Sequence, residues 1–485
     1  LNFSPRPGMI KGKTLMEPSI IRQKTKIVAT LGPASSDQKT LRELIRNGMT
    51  VARLNMSHGS REEHRRTIEE VRRVAARLQI PVAILQDLSG PKIRIGNLPE
   101  PVSLVQGQAV RLGVEPEKHP LFTEFKPILK AVRPGERILI DDGLIELEAI
   151  RIEPDHILCR VVAPGTVHSR KGVNLPDQTL DIPVFTPRDR EDLFFGISQD
   201  VDFVAMSFVN SPGNIRPVRR ILKEQNKEIP IIAKIERPMA LTRIDEILDA
   251  FDGIMIARGD LGVEVAPEQI PIIQKELIRK ANHQGKLVIT ATQMLDSMIQ
   301  HPRPTRAEAS DVSNAILDGS DLIMLSGETS VGKHPVKSVT MMHQISLTTE
   351  TSRLYPYHLD IPKTIISPTE AIVKGAAEIS ADLKARCILV YTQSGKTALL
   401  LSKYRPACPI FGFTPDPRTQ LKLAAYWGIN PCRIDFTLDT DRMLKAGESY
   451  LKKKRWVSPG DLIVSIAGVT RMVGATNMLR ITRVE

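Results

Sequence analysis

Cysteine is scarce in these 485 residues: four, at positions 159, 387, 408 and 432, far apart and never spaced C-x-x-C. That excludes a disulfide-stapled secreted scaffold and a thiolate zinc module, and leaves reduced thiols in a cytoplasmic protein as the simplest reading. Aromatics make up only 4%, poor material for a surface that stacks bases. No apolar run approaches the ~18 residues of a membrane span. The opening stretch LNFSPRPGMIKGKTLMEPSIIRQ lacks the apolar core of a signal peptide. Residues 1–20 read as a loose leader.

What is present is length, ordinary apolar content and positive charge. The chain is too long for one ordinary domain, and two to four are expected. The formal net charge is +12, which attracts anionic metabolites as readily as nucleic acid. The basic residues are dispersed. Their main clusters, Arg65-Arg66 to Arg77 and Lys452-Lys453-Lys454-Arg455, read as solvated helix faces. Neither a nucleic-acid nor a membrane partner is expected.

Eight short runs begin apolar and end polar: KIVATLG (26–32), VARLNMS (51–57), VAILQDLS (82–89), FVAMSF (203–208), IIAKIE (231–236), IMIARGD (254–260), VITATQM (288–294) and LIMLSGE (322–328). Buried parallel strands look like this. Helical segments separate them: one over about 37–47 stopped by Gly48, one opened by Thr186-Pro187-Arg188-Asp189, and one from Leu241 to Ala250. The first of these cues is a C-terminal glycine, the second an N-cap with proline in the first turn and an acid three residues on. Eight β-α units predict a (β/α)₈ TIM barrel, whose chemistry sits where the strands end. Between the third and fourth strands lie short alternating stretches rich in Gly and Pro, an all-β insertion expected to act as a lid. After about residue 350 the pattern restarts as a C-terminal α/β domain, with strands in ARCILVYTQSG, CPIFGFTPD and DLIVSIAG. The layout is thus a barrel over 21–90 and 183–350, an inserted domain over 91–182, and a C-terminal domain over 351–485.

The fifth and sixth strand ends carry the chemistry. Residues two apart on a strand share a face, so Lys234 and Glu236 point together. Gly259 permits close backbone approach, with Asp260 next to it. Two carboxylates and a lysine suit Mg²⁺ and a phosphate; taken alone, they also suit a salt-bridged strand end. His58 and His64 lack i,i+4 spacing and a third ligand, so no zinc site is assigned. Gly395-Lys396-Thr397 ends like a Walker A loop, but Val390 stands where its first glycine belongs. A turn of this kind opening a helix can still bind phosphate through its amides.

Taken together, KIVATLGPAS, VARLNMSHG, SGPKIRIG, KGVNLP, KIE, ARGDLGVE, ATQML, RPTRAEASDV and LSGETSVGKHPV closely resemble the pyruvate kinase family, from about Lys24 to the end. The resemblance implies phosphoryl transfer from phosphoenolpyruvate to ADP, then protonation of the enolate to pyruvate. It implies Mg²⁺ (or Mn²⁺) on Glu236 and Asp260, and Lys234 and Arg53 on the transferring phosphate. The backbone of Arg258-Gly259-Asp260 and the Thr292 side chain would meet the substrate carboxylate, with Thr292, Ser326 and Glu328 serving protonation. Asn55, His58, Arg94 and Lys171 would lie toward the nucleotide.

Many members bind K⁺ near the positions of Asn55, Ser57 and Asp87. Here Leu88 and Lys92 stand where those enzymes carry Thr and Glu. This resembles the K⁺-independent branch, a lysine ammonium taking the ion's place, so K⁺ is expected not to be required. In the C-terminal domain, Thr392, Gln393, Ser394, Gly395, Lys396 and Thr397 resemble a phosphate-gripping effector loop for a sugar phosphate, with Gly468-Val469-Thr470-Arg471 as a second loop. A homotetramer is implied. The alternatives are a barrel that has lost catalysis and senses metabolites or binds nucleic acid, or another Mg²⁺ enzyme acting on enolates, such as a lyase, which would need neither lid nor nucleotide-side residues.

Overall fold

Strands that are apolar on both faces must be covered inside and out, and a closed barrel ringed by helices does both. A computed structural model describes residues 23–176, 183–355, 367–437, 439–468 and 476–485. The expected leader over 1–20 and residues 469–471 of the second C-terminal loop lie outside the described residues. The eight strands are Lys26–Thr30, Met49–Asn55, Ala83–Asp87, Phe203–Met206, Ile231–Ile235, Gly253–Ala257, Leu287–Ala291 and Leu322–Leu325. They pair in parallel, and the first closes on the eighth.

Period two sorts their side chains. Ile27, Ala29, Ala52, Leu54, Ile84 and Val204 join the core under the helices. Val28, Val51, Leu85, Ala205, Ile232, Met255, Ile289 and Met324 form part of a second cluster, inside the barrel. The interior is therefore plugged with apolar side chains. Two residues further along, the inward positions become Thr30, Arg53, Asp87, Ser207 and Lys234. The polar rim follows from the same alternation that builds the plug.

The expected caps are present. Asp37 accepts from the amides of Lys39 and Thr40 and starts the helix Gln38–Arg46, and Gly48 follows it at φ +114°. Thr186 and Asp189 form a reciprocal capping box on the helix Pro187–Ser198. The expected helix from Leu241 to Ala250 is instead two, Pro238–Thr242 and Ile244–Ala250, broken at Arg243. Pro238 starts the first one earlier than the apolar pattern suggests. The sixth and eighth strands stop at Ala257 and Leu325. Arg258–Glu264 and Gly327–Ser330 are helical, because a glycine breaks each strand and an acid in the first turn favours a helix start.

Among the described residues the insertion is a six-stranded sheet plus a two-stranded one over a separate core, with one short helix, Ile128–Ala131. The C-terminal sheet has five strands in the order Ile429–Arg433, Ile410–Thr414, Cys387–Tyr391, Leu462–Ala467, Met478–Arg483, the last antiparallel. The two strands beyond the three expected are the edges. One carries Asn-Pro and the other is half-exposed and arginine-bearing, so neither shows an apolar run.

A buried ionic seam joins barrel and C-terminal domain. Asp321, at the foot of the eighth strand, pairs with Lys403 and accepts from Arg405 at 2.8 Å, all three at most 1% exposed. Arg405 lies 4.6 Å from the Trp427 ring centroid. Lys26 donates to the Ile429 carbonyl at 2.8 Å, and Lys24 donates to those of Pro406 and Ala407.

Candidate active site

Lys234 rises from the fifth strand above the apolar plug. Its ammonium lies 2.8 Å from Glu236 Oε1 and 3.3 Å from Asp87 Oδ1, and donates to Ser207 Oγ at 2.7 Å. Burial alone would depress its pKa, but Asp87 and then Glu236 outweigh burial and hold it above the ordinary lysine value. On the other side of Asp87, Arg53 places Nε and a terminal nitrogen on Oδ2 at 2.8 and 2.6 Å, and reaches Thr30 Oγ1 at 2.8 Å. Asp87 is fully buried. Burial pushes its pKa up, but Lys234 and Arg53 bring it below the usual carboxylate range. Two cations thus share one carboxylate at the base of the cleft, with Glu236 as the second counter-charge on Lys234.

Glu236 accepts from Lys234 on one oxygen and from the Phe208 amide on the other, at 2.8 Å. Burial raises its pKa, Lys234 pulls it back, and the facing charge of Asp260 adds to the rise. Asp260 itself makes no side-chain hydrogen bond or ion pair among the described residues. Two hard carboxylates that repel one another, one of them uncommitted, fit Mg²⁺ or Mn²⁺, which take few protein oxygens and keep water or substrate in the remaining positions. A cleft beside them is lined by Phe208, Arg237 and Asp260 from the barrel, and by Lys92, Asp142, Val173 and Asn174 from the inserted domain. Asn174 Nδ2 reaches Glu264 Oε1 at 3.4 Å across it, and burial lifts Glu264 to about 7.

At the sixth and seventh strand ends the Arg258 side chain is committed to structure. It binds both oxygens of Asp311 at 2.8 and 2.7 Å and the carbonyls of Thr292 and Gln293 at 2.7 and 3.1 Å. This braces a strained turn, Thr292 and Gln293 having φ of +68° and +52°, costly for a β-branched residue. The Gly259 amide donates to Thr292 Oγ1 at 2.7 Å. Glu328 is spent on the amides of Leu295 and Ser326, at 3.1 and 2.7 Å, and burial raises its pKa. The Ser326 hydroxyl is buried without a hydrogen-bond partner.

Past the second strand, the Asn55 side chain accepts from the Ser57 amide at 3.1 Å. Burial, then the charges of Arg94, Lys92, Arg53 and Arg188, hold the His58 pKa below its ordinary value. Those four cations therefore converge around the imidazole. Leu88 is 2% exposed, whereas Lys92 is exposed and its stem passes 3.8 Å from where a Cβ on Gly172 would stand. Lys171 pairs with Asp141 at 2.8 Å within the inserted domain, and among the described residues no barrel side chain holds it. The Thr392–Thr397 loop is a separate place. Thr392 Oγ1 accepts from the Gly395 amide at 2.9 Å, Gly395 has φ +85°, and the helix Lys396–Lys403 opens there. Gln393 and Lys396 are exposed, and Thr397 bonds Thr476 at 2.7 Å.

Ser207, Phe208, Arg188, Asp311 and Glu264 escaped the sequence reading. Ser207 was within reach of it: Phe203 and Ala205 point inward, and period two continues to Ser207.

A family model described as the pyruvate kinase barrel domain matches residues 22–339, and one described as the pyruvate kinase alpha/beta domain matches residues 370–482. A pyruvate kinase of Staphylococcus epidermidis is 43% identical over 470 residues, covering 95% of this chain and 80% of that protein. One of Clostridium acetobutylicum is 41% identical over 472 residues, covering 96% of this chain and 100% of that protein. The crystal structure of a pyruvate kinase from Cryptosporidium parvum superposes with a TM-score of 0.90 at 35% identity, over 97% of this chain and 98% of that one.

Proposed function

The chain belongs to the pyruvate kinase family, and from that premise we infer which of its residues carry the transfer of a phosphoryl group from phosphoenolpyruvate to ADP. The observation that carries the assignment is Lys234 and Arg53 sharing Asp87 at the bottom of a cleft whose floor is otherwise apolar. Phosphoryl transfer needs placement and neutralisation of charge more than covalent chemistry. Lys234 and Arg53 neutralise the phosphoryl group in flight, and Asp87 fixes both cations. Glu236 and Asp260 hold Mg²⁺ (or Mn²⁺), which supplies charge stabilisation for the phosphoryl oxygens and the enolate when bound.

The amides of Gly259 and Asp260, with the Thr292 hydroxyl, receive the substrate carboxylate, and Arg258 keeps that turn in place. Loss of the phosphoryl group leaves an enolate, and a proton added at its methylene carbon completes pyruvate. Thr292, with Ser326 and Glu328 behind it, serves that protonation; the unpartnered Ser326 hydroxyl supports a place for water there. Asn55, His58, Arg94 and Lys171 face the nucleotide phosphates. The inserted domain excludes water by closing on the cleft where Asn174 meets Glu264.

The enzyme works without K⁺ in this reading. Lys92 adds its charge to the cluster around His58, and Leu88 offers no side-chain oxygen. The Thr392–Thr397 loop binds a sugar phosphate that regulates the enzyme. The molecule is a cytoplasmic homotetramer acting in glycolysis. Pyruvate formation from phosphoenolpyruvate and ADP with Mg²⁺, with and without K⁺ and beside Lys234→Met, tests the reading. Turnover that survives K⁺ removal and collapses in the variant is expected. Turnover only with K⁺ removes the Lys92 argument, and unchanged turnover in Lys234→Met removes the phosphoryl-transfer roles.

A further inference from the structure

At the far end of the inserted domain three side chains converge that catalysis does not use. His119 Nε2 lies 3.1 Å from Asp155 Oδ2, and His156 Nδ1 lies 2.8 Å from Asp155 Oδ1. The two rings stand 4.9 Å apart, tilted by 41°. One ligand atom from each of the three residues can be chosen so that all lie within 4.8 Å of one another. Bonds of ~2.0–2.1 Å to a tetrahedral metal place neighbouring ligand atoms roughly 3.3 Å apart, so small adjustments suffice.

The backbone builds this cluster from three segments. Asp155 and His156 close the turn between the strands Ile145–Ile152 and His156–Ala163. His156 is paired across the ladder with Gly113. The His119 ring lies directly over Gly113, so a Cβ there would meet His119 Cδ2 at 2.2 Å. Only glycine at 113 lets the ring reach the turn. His119 is 6% exposed, His156 17% and Asp155 33%, so one side of the cluster stays open to solvent.

We propose that His119, Asp155 and His156 form a site for a late first-row divalent metal ion such as Zn²⁺, with water in the remaining position. Two imidazoles and one carboxylate select such ions over Mg²⁺ and Ca²⁺, which prefer oxygen ligands. Each imidazole presents the nitrogen that now faces Asp155, its proton moving to the other ring nitrogen. The site is distinct from the catalytic carboxylates. The eight-residue strand Ile145–Ile152 runs from it to the turn facing the barrel, ~25 Å at about 3.3 Å per residue. At that distance the ion takes no part in phosphoryl transfer. It ties the hairpin to the 113–119 segment and stiffens the inserted domain.

The test is calorimetric titration of the full chain with Zn²⁺ in excess Mg²⁺, which occupies the catalytic carboxylates, comparing wild type with His156→Gln and Asp155→Asn. Each variant should bind one Zn²⁺ per chain fewer, and wild type alone should melt higher with Zn²⁺. Equal stoichiometry and affinity in all three proteins overturn the proposal. So does a loss of stability in the variants without any zinc binding by wild type, which would make the cluster a hydrogen-bonded turn only. Zinc-edge X-ray absorption on wild type keeps the question open to refutation if a variant fails to fold: two imidazole ligands support the site, none reject it.

Discussion

Arg258 holds the Thr292 carbonyl at 2.7 Å while its other terminal nitrogen clasps Asp311, so the arginine just past the sixth strand fixes the turn just past the seventh. Lysine cannot span both partners, because it has no planar fork. Arg258→Lys should therefore lower kcat/KM for phosphoenolpyruvate by about 100-fold through displacement of the Thr292 turn. Steady-state kinetics checks this. Most of the loss should appear as a raised KM, because the substrate carboxylate site is what moves.

In the reading proposed above, Lys92 stands in for a monovalent ion. Wild type should show the same rate in Na⁺- and K⁺-free buffer as with K⁺ added. Lys92→Glu should lose activity without K⁺ and regain it on titration with KCl. A variant indifferent to K⁺ would make Lys92 a solvated hinge residue.

Glu264 gives the inserted domain a pH-dependent contact. Burial raises its pKa from 4.5 to about 7. Between those values the folded chain keeps a proton that the unfolded chain has lost. Its stabilising contribution is complete below 4.5 and declines as pH rises toward 7. Melting temperatures of wild type and Glu264→Gln should diverge over that window, the glutamine variant becoming the more stable at its upper end.

Asp321 is the shared anion of two cations that are at most 1% exposed. Asp321→Ala strands Lys403 and Arg405 without a counter-charge and should cost about 3–5 kcal/mol. Urea unfolding monitored by tryptophan fluorescence reports it, since Trp427 lies against Arg405.

The barrel and its rim were legible because one rule, period two in a buried parallel strand, fixes both the plug and the polar layer above it. Lys234 and Glu236 were expected to point together, and they meet at 2.8 Å. Less legible was what each polar group does with its hydrogen bonds. The Arg258 fork and the Glu328 carboxylate are consumed by backbone groups whose positions depend on strained turns at 292 and 293. Asp311 lies far along the chain from Arg258, so no local spacing announces the pair. The C-terminal edge strands escaped for the opposite reason: half-exposed strands need no apolar run. His119 and the Asp155-His156 turn are joined only through the bare backbone of Gly113, a relationship that residue spacing does not express.

The seam at the foot of the barrel bears on the order in which the molecule is made. Lys24 precedes the first strand and Lys26 opens it, yet the carbonyls that receive their ammonium groups belong to residues 406, 407 and 429. Asp321 likewise waits for Lys403 and Arg405. At roughly 5–20 residues per second, a ribosome needs tens of seconds between supplying the first lysine and its acceptor. Throughout that interval water stands in for those carbonyls at the two ammonium groups. The barrel strands close on one another at residues 322–325, but the contacts at the barrel's foot wait until the Ile429 strand has been made.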